Sequence, residues 1–227
     1  MSTAHLSEFL NYLACDAHGS ERIPSLAELS STLGVSIARL REQLEVARFM
    51  GVVEVRPKTG IRRIPYTFRP AICQSLDYAL IINPAYFVKY SDLRNHLESA
   101  YFIQAASLLN ADDIAHLKNL VIKAKGKLYG KPIQVPHAEH KELHLFIYHR
   151  LDNPFVEGLL EAYWDQYEAV GLNVFTDINY LQAVWNYHEK MVDSISNGNY
   201  AMGHKALMEH LDLITQRVRP IPKQQFE

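Results

Sequence analysis

Apolar positions recur three and four residues apart along most of the chain, and only one short stretch alternates. Leu6, Phe9, Leu10 and Leu13 outline a first amphipathic helix, which His18-Gly19-Ser20 should end. Ser25 and Glu28 have the spacing of a capping box, so a second helix should run to about Leu33, where Gly34 breaks it. Ser36 is placed to cap a third, Ile37 to Met50, with Leu40, Leu44 and Ala47 facing inward. Val52 to Arg56 then alternates as a strand, Pro57-Lys58-Thr59-Gly60 reads as a turn, and Ile61 to Ile64 reads as a second strand. This order predicts a winged helix-turn-helix over residues 1–69.

The rest of the chain has helical periodicity throughout. Proline-bounded residues 65–70 mark a boundary, and residues 70–85 form a connector helix stopped by Asn83-Pro84. Residues 86–219 predict an antiparallel bundle, with a tail at 220–227. Its expected starts are Ser91 or Asp92, Asn110, His137, Asn153-Pro154, Thr176 or Asp177, and Tyr200. The fold class is therefore mainly α: an N-terminal winged helix-turn-helix with a small β wing, then a C-terminal all-helical bundle. The aromatics Tyr101, Phe102, Phe146, Tyr148, Tyr163, Trp164, Tyr167 and Trp185 are expected in its core.

Charge changes this picture locally. The 227-residue chain has a net charge of −2, which excludes a chain-wide basic tail or acidic tract. From Ser36 to Arg69, however, eight cations face three anions, a surplus of five. Such a concentration suits phosphate neutralisation on double-stranded DNA. Ser36, Arg39 and Arg41 on the third helix, with Arg56, Lys58, Thr59, Gly60 and Arg62 on the wing, are the candidate DNA contacts. Cys15 and Cys73 are too few for a disulfide framework, and no apolar run approaches membrane-spanning length. The expectation is a soluble, cytoplasmic protein without a membrane partner.

The candidate chemistry lies in His137-Ala-Glu-His140-Lys-Glu-Leu-His144. His140 and His144 share a helical face, which makes half of a transition-metal site. His188 and His210 lie ten residues before and twelve after Gly198, roughly 15 and 18 Å along two antiparallel helices, hence nearly level. Spacing alone leaves two readings open, because a solitary interior histidine is more often a hydrogen-bonded core residue than a ligand. His137, three residues before His140, is the rival member of the set.

Two groups of residues carry a resemblance. Pro24-Ser25, Glu28-Leu29, Leu33-Gly34-Val35-Ser36, Leu40-Arg41-Glu42, Gly51-Val52-Val53 and Arg56-Pro57 through Gly60 resemble the winged helix of GntR-family transcription regulators. Ala27 and Ile37 stand where that family usually has arginines that contact DNA. Asp92-Leu93-Arg94, Leu97-Glu98, His144, Leu151 to Pro154, His188-Glu189 and Glu209-His210-Leu211 resemble the FCD effector domain of the FadR-like branch. The resemblance implies a divalent metal at His144, His188 and His210, with His140 where an aspartate is usual. It also implies a small effector beside the metal, with Arg94 gripping its carboxylate, and a homodimer on a two-fold operator; helical spacing offers Arg94 the alternative of an i,i+4 salt bridge to Glu98.

All-imidazole ligation favours zinc or nickel over magnesium or calcium. The expected function is a DNA-binding regulator modulated by metal and an organic-acid effector. The alternatives are a metal-dependent enzyme built on the histidines and a regulator whose histidine cluster holds no metal.

Overall fold

The computed structural model describes residues 6–15, 21–170 and 177–218. The chain divides into two compact units, Met1–Gln74 and Ser75–Glu227. The expected helix stop at residues 18–20, the possible start at Thr176 and the tail at 220–227 lie outside the described residues.

The first unit contains α1 (Glu8–Cys15), α2 (Leu26–Leu33), α3 (Ile37–Phe49), β1 (Val53–Arg56) and β2 (Gly60–Arg63). Local chemistry sets each boundary. Ser25 caps α2 in a full capping box with Glu28, and Gly34 ends it in the left-handed conformation, at φ +66°. The Ser36 side chain accepts from the Arg39 N–H at the start of α3. Gly51 turns the chain into the wing at φ +71°, where a Cβ would come within 2.5 Å of Pro70 Cγ. A side chain at Gly51 is therefore excluded twice, by backbone conformation and by space.

The strands pair antiparallel with Val53 opposite Arg63 and Arg56 opposite Gly60. Arg22 adds an isolated bridge to Arg62. Phe9, Leu13, Ile23, Leu29, Leu40, Leu44, Ala47, Val53 and Ile61 form one core. Buried Gln43 ties α1 to α3: its amide oxygen accepts from the Phe9 N–H at 2.9 Å, and its nitrogen donates to Glu8 at 2.6 Å. Both polar ends of the side chain are thus satisfied.

The boundary between the units falls inside α4 (Arg69–Ile82), five residues beyond the expected one. The second unit continues with α5 (Tyr86–Ser107), α6 (Ala111–Leu128), α7 (His137–Tyr148), a 3₁₀ turn (His149–Leu151), α8 (Pro154–Ala169), α9 (Ile178–Ser196) and α10 (Tyr200–Val218). One sequence expectation is corrected here: α5 starts at Tyr86 and not near Ser91. Asn83 Oδ1 accepts from the Ala85 N–H, and the chain turns directly into a new helix after Pro84. The dipeptide that stops α4 therefore also starts α5, and Ser91 becomes an interior, buried position.

Asn110 caps α6 reciprocally with Asp113, Asn153 caps α8 ahead of Pro154, and Asp177 caps α9. Helices α9 and α10 form an antiparallel hairpin, with α6 packed on α9 and α5 on α10. The main core includes Phe102, Leu117, Leu120, Leu143, Ile147, Leu160, Trp185, Met191 and Leu207. Each large apolar side chain fully buried in this way contributes roughly 1.5–3 kcal/mol. A smaller cluster of Phe87, Tyr163, Trp164 and Tyr167 lies between α5 and α8.

Candidate metal centre

Helix α7 supplies two histidines because its buried stripe runs through His140, Leu143, His144 and Ile147, a three-and-four spacing. Three members of the final set, His144, His188 and His210, have no exposed surface, and His140 has 8%. One ligand nitrogen from each of the four lies within 4.8 Å of all the others. His144 Nε2 is 3.2 Å from His188 Nε2 and 3.2 Å from His210 Nε2. Metal–nitrogen bonds of about 2.0–2.1 Å in a tetrahedron put ligand atoms about 3.3 Å apart, so these edges already have metal-site dimensions.

The electrostatics favour neutral imidazoles. Burial pushes His140, His188 and His210 well below the usual histidine range, and mutual repulsion within the cluster pushes in the same direction. His144 is also lowered, because burial outweighs the attraction of Glu98. Lone pairs are therefore available, as a metal requires. A buried polar atom without a protein partner gives a second indication: His140 Nε2 has none among the described residues. A site of this donor set fits a transition ion.

Trp164 and Trp185 wall the cluster, with ring centres 4.8 and 6.2 Å from His140. These aromatics are core residues, as expected, and they also keep the histidines dry. His137 is not a member. Its ring stacks on Tyr167 at 5.6 Å, and its Nε2 lies 3.1 Å from Glu168. Glu189, beside His188 in sequence, pairs with Lys125 at the surface.

Arg94 has 2% of its surface exposed. Its Nη2 lies 2.9 Å from Glu98 Oε1 and 2.9 Å from His144 Nδ1, and its guanidinium sits 4.7 Å over the Tyr163 ring. The i,i+4 ion pair is thus real, but it is buried and joined to the histidines. Glu98 is the residue that sequence reasoning treated only as a surface partner. Burial pushes its carboxyl up, but the Arg94 guanidinium and the His144 imidazole together outweigh that and hold it below the usual range. The available signal was its position: Arg94, Glu98, Phe102 and Ala105 follow the inward stripe of α5.

The candidate DNA contacts are in the first unit. Ser36 caps α3, and Arg39, Arg41, Arg56, Lys58, Thr59 and Gly60 are exposed. Arg39 pairs with Glu8 at 2.9 Å, Arg56 with Glu54 at 2.8 Å, and half-buried Arg62 with Glu21 at 3.3 Å. The wing tip bends at Lys58, where φ is +68°.

Comparison with known proteins defines the class. Residues 90–213 match the FCD domain, which is more than half of the chain. The protein belongs to the FCD-domain family, and its architecture is that of a GntR-type regulator. The fold is similar to Streptococcus agalactiae GntR, at 19% identity and a TM-score of 0.69, over 92% of this chain and 97% of that one. It is also similar to E. coli McbR/YncC, at 17% identity and a TM-score of 0.50, over 94% and 98% of the two chains. No curated protein matches the sequence. Among the described residues, no helix is long and apolar enough to cross a membrane.

Proposed function

We propose that this protein is a metal-containing, effector-responsive DNA-binding regulator acting as a homodimer. The observation that carries the metal reading is the convergence of four buried, neutral imidazoles from three helices. His140, His144, His188 and His210 would hold Zn²⁺ or Ni²⁺, and such an ion supplies positive charge without a carboxylate ligand to offset it. The site therefore favours an anionic, carboxylate-bearing effector. Arg94 contributes to that preference through Nε, which has no partner among the described residues while Nη2 is held by Glu98 and His144.

The depressed histidine pKa values argue against a metal-free proton switch near neutral pH, since protonation would put charges into a dry cluster. In the first unit, α3 would enter the major groove from its Ser36 end, with Arg39 and Arg41 on the DNA side. Arg56, Lys58, Thr59, Gly60 and Arg62 would bring the wing to the phosphate backbone. Metal content of untagged protein, measured beside His188→Ala, tests the site: about one ion per chain should fall to a trace. Equal content in both would refute the assignment. Binding to its own promoter region before and after chelation tests the coupling of metal to DNA.

A further inference from the structure

His144 differs from the other three histidines in what stands behind it. The ring has two nitrogens, and Nε2 faces His188 and His210. Its other nitrogen, Nδ1, lies 3.1 Å from Glu98 Oε1 and 2.9 Å from Arg94 Nη2. An arginine can only donate and an ionised carboxylate can only accept. The two neighbours therefore demand opposite tautomers. If Nδ1 accepts from Arg94, the proton sits on Nε2 and blocks the lone pair facing the cluster. If Nδ1–H donates to Glu98, Nε2 is free to bind an ion.

We infer that Glu98 is a positioning residue for the metal centre: it fixes His144 in the Nδ1–H tautomer and so presents Nε2 to the ion. The inference rests on the metal reading above. Two features of the surroundings favour Glu98 over Arg94. Glu98 Oε2 has no donor among the described residues and Oε1 holds Arg94 Nη2, so the Nδ1–H tautomer gives an under-bonded carboxylate a second donor at Oε1 while the Arg94–Glu98 ion pair stays intact. Among the described residues the His188 and His210 Nδ1 atoms have no partner, whereas His144 Nδ1 has a carboxylate behind it. Such outer carboxylates orient a ligating imidazole and raise its basicity.

Glu98 also changes the meaning of His140. With four neutral imidazoles the ligand shell carries no anion. Glu98 reaches the cluster through a histidine ring and is itself held by Arg94. Arg94 thus has a second task, keeping Glu98 aligned and ionised within an apolar wall.

The test uses the full-length protein, stripped of metal. Nitrogen-15 NMR of the histidine side chains in the wild type should show His144 as the Nδ1–H tautomer; an Nε2–H tautomer overturns the inference. Glu98→Gln keeps the shape but can turn a donor or an acceptor toward the ring. Zinc affinity, read by competition with a chromophoric chelator, should fall about 10–100-fold in this variant. The His144 tautomer should shift toward Nε2–H. Unchanged affinity and tautomer overturn the role of Glu98 and leave the metal centre standing. A wild type that takes up neither zinc nor nickel overturns the metal centre instead, and the inference with it. If Glu98→Gln does not fold, the wild-type tautomer still decides.

Discussion

The two units use the same residue classes in opposite ways. In the winged helix, Arg39–Glu8, Arg56–Glu54 and Arg62–Glu21 are ion pairs open to water. In the helical unit, Arg94–Glu98 is an ion pair with essentially no exposed surface, linked to a histidine. Surface pairs contribute little to stability and exchange partners readily, which suits arginines that must trade a carboxylate for a phosphate. A buried pair contributes little net stability when intact, but breaking it leaves a charge without solvent. The same chemistry is thus disposable in one unit and obligatory in the other.

The largest effect should come from emptying the ligand set. His210→Ala removes a nitrogen from a preorganised site, and zinc affinity should drop by at least 100-fold in a chelator competition. A smaller drop would mean that His210 packs beside the site without binding the ion. Next is Arg94→Met, which fills the space but strands Glu98. Denaturant unfolding should show a loss of about 3–5 kcal/mol in the helical unit, as for other buried pairs broken from one side. A loss as small as that of a surface pair would erase the contrast between the units.

Acidification gives a third, intermediate effect. Folded His140, His144, His188 and His210 have lowered pKa values, whereas unfolded imidazoles titrate near ~6.5. Below that pH the unfolded chain binds more protons than the folded one, so stability rises with pH and is lost on acidification. The melting temperature of metal-free protein should therefore be nearly level above about pH 7 and fall progressively toward pH 5. Glu98, also lowered, acts with the same sign at still lower pH. A midpoint that rose on acidification would contradict neutral buried histidines.

How much of this the sequence disclosed depends on the range of the interaction. Caps at Ser25, Ser36, Asn110 and Asn153 act within three residues, so most helix starts were legible. Asn83-Pro84 misled because one dipeptide serves both as a stop and as a start. The histidine set was legible because α9 and α10 are joined by a tight turn, which makes level positions a matter of counting. His137 could be dismissed only once Tyr167 and Glu168 were seen beside it, contacts that lie thirty residues away in sequence. Glu98 was legible as a partner of Arg94 but not as a partner of His144, because that contact joins α5 to α7.

The smallest predicted effect sharpens the other side of the comparison. Glu8→Gln releases Arg39 at the surface but keeps an oxygen for the Gln43 amide, so the melting temperature should change little while affinity for promoter DNA rises a few-fold at low salt. Arg41→Ala should weaken binding and reduce the salt slope by about 1 if that residue meets a phosphate. Fluorescence anisotropy over a salt series reads both.

The central claim is that His140, His144, His188 and His210 hold one transition-metal ion. Anomalous diffraction from crystals of untagged protein, collected on both sides of the zinc and nickel edges, tests it most directly. The account predicts a single strong peak about 2.0–2.1 Å from one nitrogen of each of the four histidines. A cluster with no anomalous peak, after growth in either metal, would contradict it.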